Sequence, residues 1–273
     1  MTSGLGTTKS SGGVIIRTSN AGAAGASGIM RFASGTTSSG SSGSVIISTG
    51  AATAGKGGDI LLSVGAGTAS TGGHVRVSAG HDDEDTGGSI SLTTGLGSTK
   101  SSGSVVVQTF NAGSAGISGG LTFFTGTTSA GASGSIALST GDATGGKAGD
   151  FVLSVGTGSA TAGGDIIATA GTSTPNTGGS ISMSTGAGTA TSSGSLLFRT
   201  VDAGVSGMSG AIRFTTGTTS SGTSGLVSIA TGSATDGKAG SLIMSVSSGD
   251  TLEGGAVTVT AGETTANSQV AGT

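Results

Sequence analysis

The stretch Gly12-Gly13-Val14-Ile15-Ile16-Arg17-Thr18 returns twice. It reads Gly103-Ser104-Val105-Val106-Val107-Gln108-Thr109 and then Gly194-Ser195-Leu196-Leu197-Phe198-Arg199-Thr200, each copy 91 residues after the last. Between these copies a shorter beat runs. A Gly opening an apolar run recurs at 12, 28, 43, 58, 73, 88 and 103, a spacing of 16 once and then 15 five times. The same order repeats through Gly255, and three lengths of 91 fill the 273 residues. A period this regular is the mark of a repeat architecture.

Counting from that Gly as position 0, +2 and +4 are large and apolar at 33 of 34 sites, Ala168 being the exception. Positions +1 and +5 are mostly small or polar. Period two over six residues reads as a strand with one covered face. About nine residues remain for each return, too few for a helical crossover. The pattern predicts an all-β chain: a single parallel β-solenoid, or β-helix, of about 18 coils of 15–16 residues. The 18 coils fall into three super-repeats, 1–91, 92–182 and 183–273, of one continuous domain covering 1–273. Ladders at +2 and +4 would form its core, and small return residues would give a flat, thin cross-section. Gly at +7 (Gly35, Gly50, Gly65, Gly80) is expected to turn the chain with φ > 0. In the longer coils, Ala26, Ile117 and Met208 are expected to plug a local bulge.

Composition narrows the function. Glycine supplies 59 residues, charged residues 8% and aromatics 3%, with one Pro and no Cys, Trp or Tyr. Glycine at this level without a period would read as linker or disorder. The absence of Cys removes disulfides and thiolate metal sites. A net charge of −3 argues against nucleic acid. No apolar run has the length of a membrane span, and no signal peptide follows Met1. Returns of near-equal length build no pocket, so the chain reads as no enzyme, with no catalytic residue and no cofactor.

Few residues carry charge-bearing chemistry. His74 and His81 lack counterparts 91 residues on and read as surface side chains. The run His81-Asp82-Asp83-Glu84-Asp85 is the only acidic cluster. Asp82, Asp83, Glu84 and Asp85 are a candidate Ca²⁺ set, with a solvated turn as the plainer reading. The counterpart returns, Thr172–Asn176 and Glu263–Asn267, could not hold the ion. Lys56 and Lys147 each precede an Asp by three residues, Asp59 and Asp150, and read as surface pairs. Asn20, Asn111 and Asp202 read as turn residues.

Position +3 points outward on alternation. Ile15, Ile46, Leu61, Val106, Val152, Ile167, Leu197 and Ile243 make that face half apolar, a candidate association face. Neither end carries a polar cap, so the chain reads as cut from a longer repeat or built to stack. The expected partner is the chain itself, end to end or side by side.

Two resemblances follow from the residues. Short coils of this near-constant length, rich in Thr, Ser, Ala and Gly, resemble the β-helical antifreeze proteins of insects, which implies an ordered surface such as ice as a partner. The Thr row at +6 (Thr18, Thr49, Thr94, Thr109) carries that likeness. Segments such as Ser34-Gly35-Thr36-Thr37-Ser38-Ser39-Gly40 and Thr140-Gly141-Asp142-Ala143-Thr144-Gly145-Gly146 resemble the long Gly/Ser/Thr-rich repeats of diatoms and other marine microalgae. That likeness implies an extracellular or cell-surface structural part. The leading expectation is a non-enzymatic structural repeat protein, a rod or filament segment of a matrix, surface or fibre. The alternative is a surface binder such as an ice-binding protein.

Overall fold

The computed structural model describes residues 2–5, 10–68, 71–159, 162–250 and 253–263. Met1 and the C-terminal stretch 264–273 lie outside them, and with them the reading of both ends. Two units are distinguished, Met1–Ala137 and Leu138–Thr273.

The solenoid is not formed. Among the described residues neither unit contains a β-strand or a helix, and the chain is irregular backbone interrupted by bends. No described residue is buried; Gly97, Thr125 and Ala170 alone are half-buried. The accessible surface is 26781 Å². A compact monomer of this mass would show about 10,000 Å² and an unfolded one about 36,000 Å². The expected core ladders at +2 and +4 therefore do not exist within one chain.

Two physical causes explain the failure. Each coil offers only two large inward side chains against the ordering of its whole length. Much of that length is Gly, the residue that loses most freedom on folding. The second cause is geometric. In a solenoid, each opening Gly must sit one strand spacing from the opening Gly of the coil before. Here it sits instead against the end of the preceding run. A Cβ added at Gly58 would lie 3.4 Å from the Thr49 Cβ, and one at Gly119 would lie 3.4 Å from Thr109 Cγ2. The same contact recurs through Gly225 against Thr216 and Gly255 against Val246. The return closes on position +6 of its own coil, so coils follow one another as loops and do not stack.

The loops have a common form. The run from 0 to +9 carries no bend in most coils, and a bend follows near +10 to +12. It falls at 38–40, 53–55, 83–85 and 98–100 in the first unit, and at 144–146, 174–176 and 189–191 in the second. In several returns a backbone bond shuts the mouth. The Gly88 N–H donates to the Gly80 carbonyl at 2.9 Å, and Gly179 to Gly171 at 2.9 Å. Gly103 donates to Gly95 at 3.3 Å and Gly194 to Gly186 at 3.1 Å. A surface loop of this length whose ends touch is an Ω-loop, and no ladder continues beyond the mouth.

This geometry reassigns the glycines. None of the +7 glycines among the described residues has φ > 0. The left-handed positions there are Gly40, Gly131, Gly207 and Gly222, all in the bends. Gly40, Gly131 and Gly222 stand at one place in the three super-repeats, with φ of 97°, 103° and 113°. Opening glycines are needed for close approach: a Cβ at Gly73 would lie 2.6 Å from Val64 Cγ1. The plug reading also falls, since Ile117 and Met208 are each 97% exposed. What survives is the 91-residue period, which most of the bends, the bonds that shut the returns and three of the four left-handed glycines follow. Gly207 does not, since its counterparts Gly25 and Gly116 are not left-handed.

Candidate functional site

The apolar runs keep the alternation the sequence implied, without a covering layer. Val14, Ile15 and Ile16 are 50%, 86% and 58% exposed; Leu196, Leu197 and Phe198 are 54%, 74% and 54% exposed. The eight +3 residues, Ile15, Ile46, Leu61, Val106, Val152, Ile167, Leu197 and Ile243, lie between 74% and 87% exposed. Each is more exposed than its +2 neighbour. They stand as separate apolar points, one per run; among the described residues no sheet joins them into a flat face. The +2 and +4 side chains, expected inside, are themselves largely open to solvent and extend the apolar surface of each run.

The Thr row at +6 faces across the mouth of its return. Thr49 meets the Gly58 position, and the Thr18 hydroxyl donates to the Gly28 carbonyl at 3.2 Å. Its methyl and hydroxyl groups serve loop closure. Alternation alone assigned these side chains to an interior. The missed signal was the joint restriction of +6 to Thr, Ser, Val or Ala and of the next 0 to Gly, nine residues on.

The acidic run forms a turn that uses its own carboxylates. Asp82 Oδ1 accepts the N–H of Glu84 at 2.9 Å and that of Asp85. Asp85 Oδ1 accepts the N–H of Thr86 at 2.8 Å, and His81 Nε2 lies 2.9 Å from Asp83 Oδ1. The amide of Glu84, and then that of Asp85, holds the Asp82 carboxyl below the ordinary carboxylate range. Among the described residues no three His, Asp or Glu side chains converge where they could hold a metal ion. Asp82, Asp83, Glu84 and Asp85 thus share one return but present no common centre.

The remaining polar groups are solitary or paired at the surface. Lys56 Nζ lies 2.9 Å from Asp59 Oδ1 and Lys147 Nζ 2.7 Å from Asp150 Oδ1, as the spacing implied. Both pairs are exposed and contribute under ~1 kcal/mol. His74 is exposed. Asn20 lines a shallow recess of about 170 Å³ with Arg17, Thr18 and Ser19. These are four consecutive residues, and at 91 residues' remove they become Gln108, Thr109, Phe110 and Asn111, which keep the Thr and the Asn but not the Arg.

No helix among the described residues is long and apolar enough to cross a membrane. No family model, curated protein or solved structure matches the chain.

Proposed function

We propose that the chain is a non-enzymatic structural protein that works by associating with itself, as a segment of an extracellular matrix, a cell surface or a fibre. One observation carries this reading: a single chain leaves the apolar run of every coil uncovered, from Val14 to Val259. So many large apolar side chains left open to water in one chain are surface that a further copy could cover. The excess over a compact monomer, about 17,000 Å², is roughly tenfold the area that a stable interface needs. With charged residues at 8% and a net charge of −3, little repulsion opposes close approach. The runs are rich in Val, Ile, Leu and Phe, and the chain's one Pro, Pro175, lies in a return, the composition that favours pairing between chains. The returns, rich in Gly, Ser and Thr, keep the runs apart and soluble between contacts.

Sedimentation velocity and negative-stain electron microscopy across a concentration series test the reading. Growth of sedimenting species with concentration, ending in fibrils or sheets, is the expected result. A chain that stays a monomer at every concentration sinks it.

A further inference from the structure

Resting on the self-association reading, we infer that the partner copy lies parallel and displaced by one super-repeat, so that residue n of one chain meets residue n + 91 of the other. Charge placement selects this stagger over the unshifted register.

The runs recur once per coil, so a second copy can oppose run to run at many offsets. Three features cut that number down. The first is the long coil. Position +6 lies ten residues before the next opening Gly at Thr18–Gly28, Thr109–Gly119 and Thr200–Gly210, against nine elsewhere. A shift of one coil sets a ten-residue return beside a nine-residue one and forces a bulge at each. Shifts of zero, 91 and 182 avoid it, and 182 sets Arg17 against Arg199 and Arg31 against Arg213. The second is the shared shape of counterparts. Val64, Val155 and Val246 each meet the next opening Gly, and Gly40, Gly131 and Gly222 share one left-handed bend. An antiparallel copy would set these coils against unlike ones.

The third feature separates zero from 91. In the unshifted register every charge faces its own copy, and like charges directly opposite one another are destabilising. All five arginines lie in the first and third super-repeats and none in 92–182. Displaced by 91, Arg31 and Arg213 meet Thr122, Arg17 meets Gln108, and Arg76 meets Ile167. The acidic run 82–85 meets Ser173–Asn176, which carries no charge. Among the 13 carboxylates only Asp59 and Asp150 then face one another, and each already holds its lysine, Lys56 or Lys147. The lysines do not discriminate, since Lys9 meets Lys100 and Lys147 meets both Lys56 and Lys238 in the stagger. The arginines and the acidic run decide, and for them the middle super-repeat is a neutral surface. A stagger also leaves one super-repeat of each chain free to take a further copy, so the contact is open-ended.

Single-cysteine variants test this, since the chain has no Cys of its own. Ser48, Ser63 and Ser139 all sit at +5 and are exposed. Mass-tagged Ser48→Cys protein is assembled with an equal amount of untagged Ser139→Cys, Ser48→Cys or Ser63→Cys protein and oxidised. The tagged–untagged disulfide is then read on a gel. At low ionic strength the Ser139→Cys mixture should exceed each of the others about tenfold, a preference of about 1.4 kcal/mol. The Ser48→Cys mixture should gain on it as salt screens the charges. Assembly in which Ser48→Cys or Ser63→Cys cross-links as well as Ser139→Cys overturns the stagger and leaves self-association standing. A chain that stays monomeric in all mixtures overturns both.

Discussion

The returns at 81–87 and 172–178 occupy the same place in successive super-repeats and share almost no sequence at their centres. One reads His81-Asp82-Asp83-Glu84-Asp85; the other reads Thr172-Ser173-Thr174-Pro175-Asn176. Yet each bends over the same three places, 83–85 and 174–176, and each is shut by a 2.9 Å bond across its mouth. The Ala79 Cβ lies 3.3 Å from the Gly88 position, and the Ala170 Cβ lies 3.4 Å from the Gly179 position. The frame at the mouth sets the loop's shape, and the centre is free to vary. Even the bonds inside the bend are interchangeable: Asp82 Oδ1 accepts from Asp85 N–H, and Ser173 Oγ accepts from Asn176 N–H at 3.2 Å.

The sharpest way to break this likeness is to alter the frame. Gly88→Pro and Gly179→Pro each remove the N–H that closes the mouth. A hydrogen bond of this kind contributes about 1 kcal/mol, so the closed population should fall about fivefold in either return. Loss of the nuclear Overhauser contact between residue 88 and the Ala79 methyl, or residue 179 and the Ala170 methyl, reads the effect. Gly73→Ala should do the same through steric overlap with Val64, whereas Gly58→Ala, 3.4 Å from Thr49, should leave its return closed.

A smaller effect separates the two centres. The Asp82 carboxyl is held below its ordinary range by the Glu84 and Asp85 amides. Its contribution is therefore present above the ordinary Asp value of about 3.9 and is lost as pH falls through the lowered one. The amide shifts of Glu84 and Asp85 should move as the pH is taken toward 2, while that of Asn176 stays still. Asp82→Asn should remove the part of that response that comes from the Asp82 bonds and keep the turn. If Asn176 titrates alongside Glu84, the bend is responding to net charge and not to the Asp82 bonds.

Calcium should have the least effect. Asp82, Asp83, Glu84 and Asp85 are spread over a turn whose amides already occupy Asp82 Oδ1. Titration followed at the Asp83 and Glu84 amides should give shallow, non-saturating shifts equal to those with magnesium. A saturable, calcium-selective curve would show that the four carboxylates converge when the ion is offered.

Why the sequence showed the period but not the outcome is visible in single runs. Val14-Ile15-Ile16 alternates in exposure as its pattern implied. Alternation says which side of a run would be covered, and it is silent on whether anything covers it. The 91-residue repeat, the Lys56–Asp59 and Lys147–Asp150 pairs and the exposure of Ile15 and Leu197 were all legible, because each depends only on local spacing. Burial at +2 and +4 was not, because it depends on where the return delivers the next Gly. The turn was misplaced for a related reason. Gly at +7 is frequent and drew the assignment. Three of the four left-handed residues are the rarer Gly at +12, marked by a Thr three residues before it, as in Thr37-Ser38-Ser39-Gly40 and Thr219-Ser220-Ser221-Gly222. In both, the threonine hydroxyl accepts the N–H two residues on.

The nine-residue clasp between +6 and the next opening Gly also decides how the chain behaves in time. Loops of about ten residues close in about 10–100 ns. No clasp waits on a distant partner, so each return forms as soon as its own residues leave the ribosome. There is no shared nucleus and no single barrier. Heating one isolated chain should loosen its returns one by one in a shallow slope, and a fragment of one super-repeat should trace the same slope as all three.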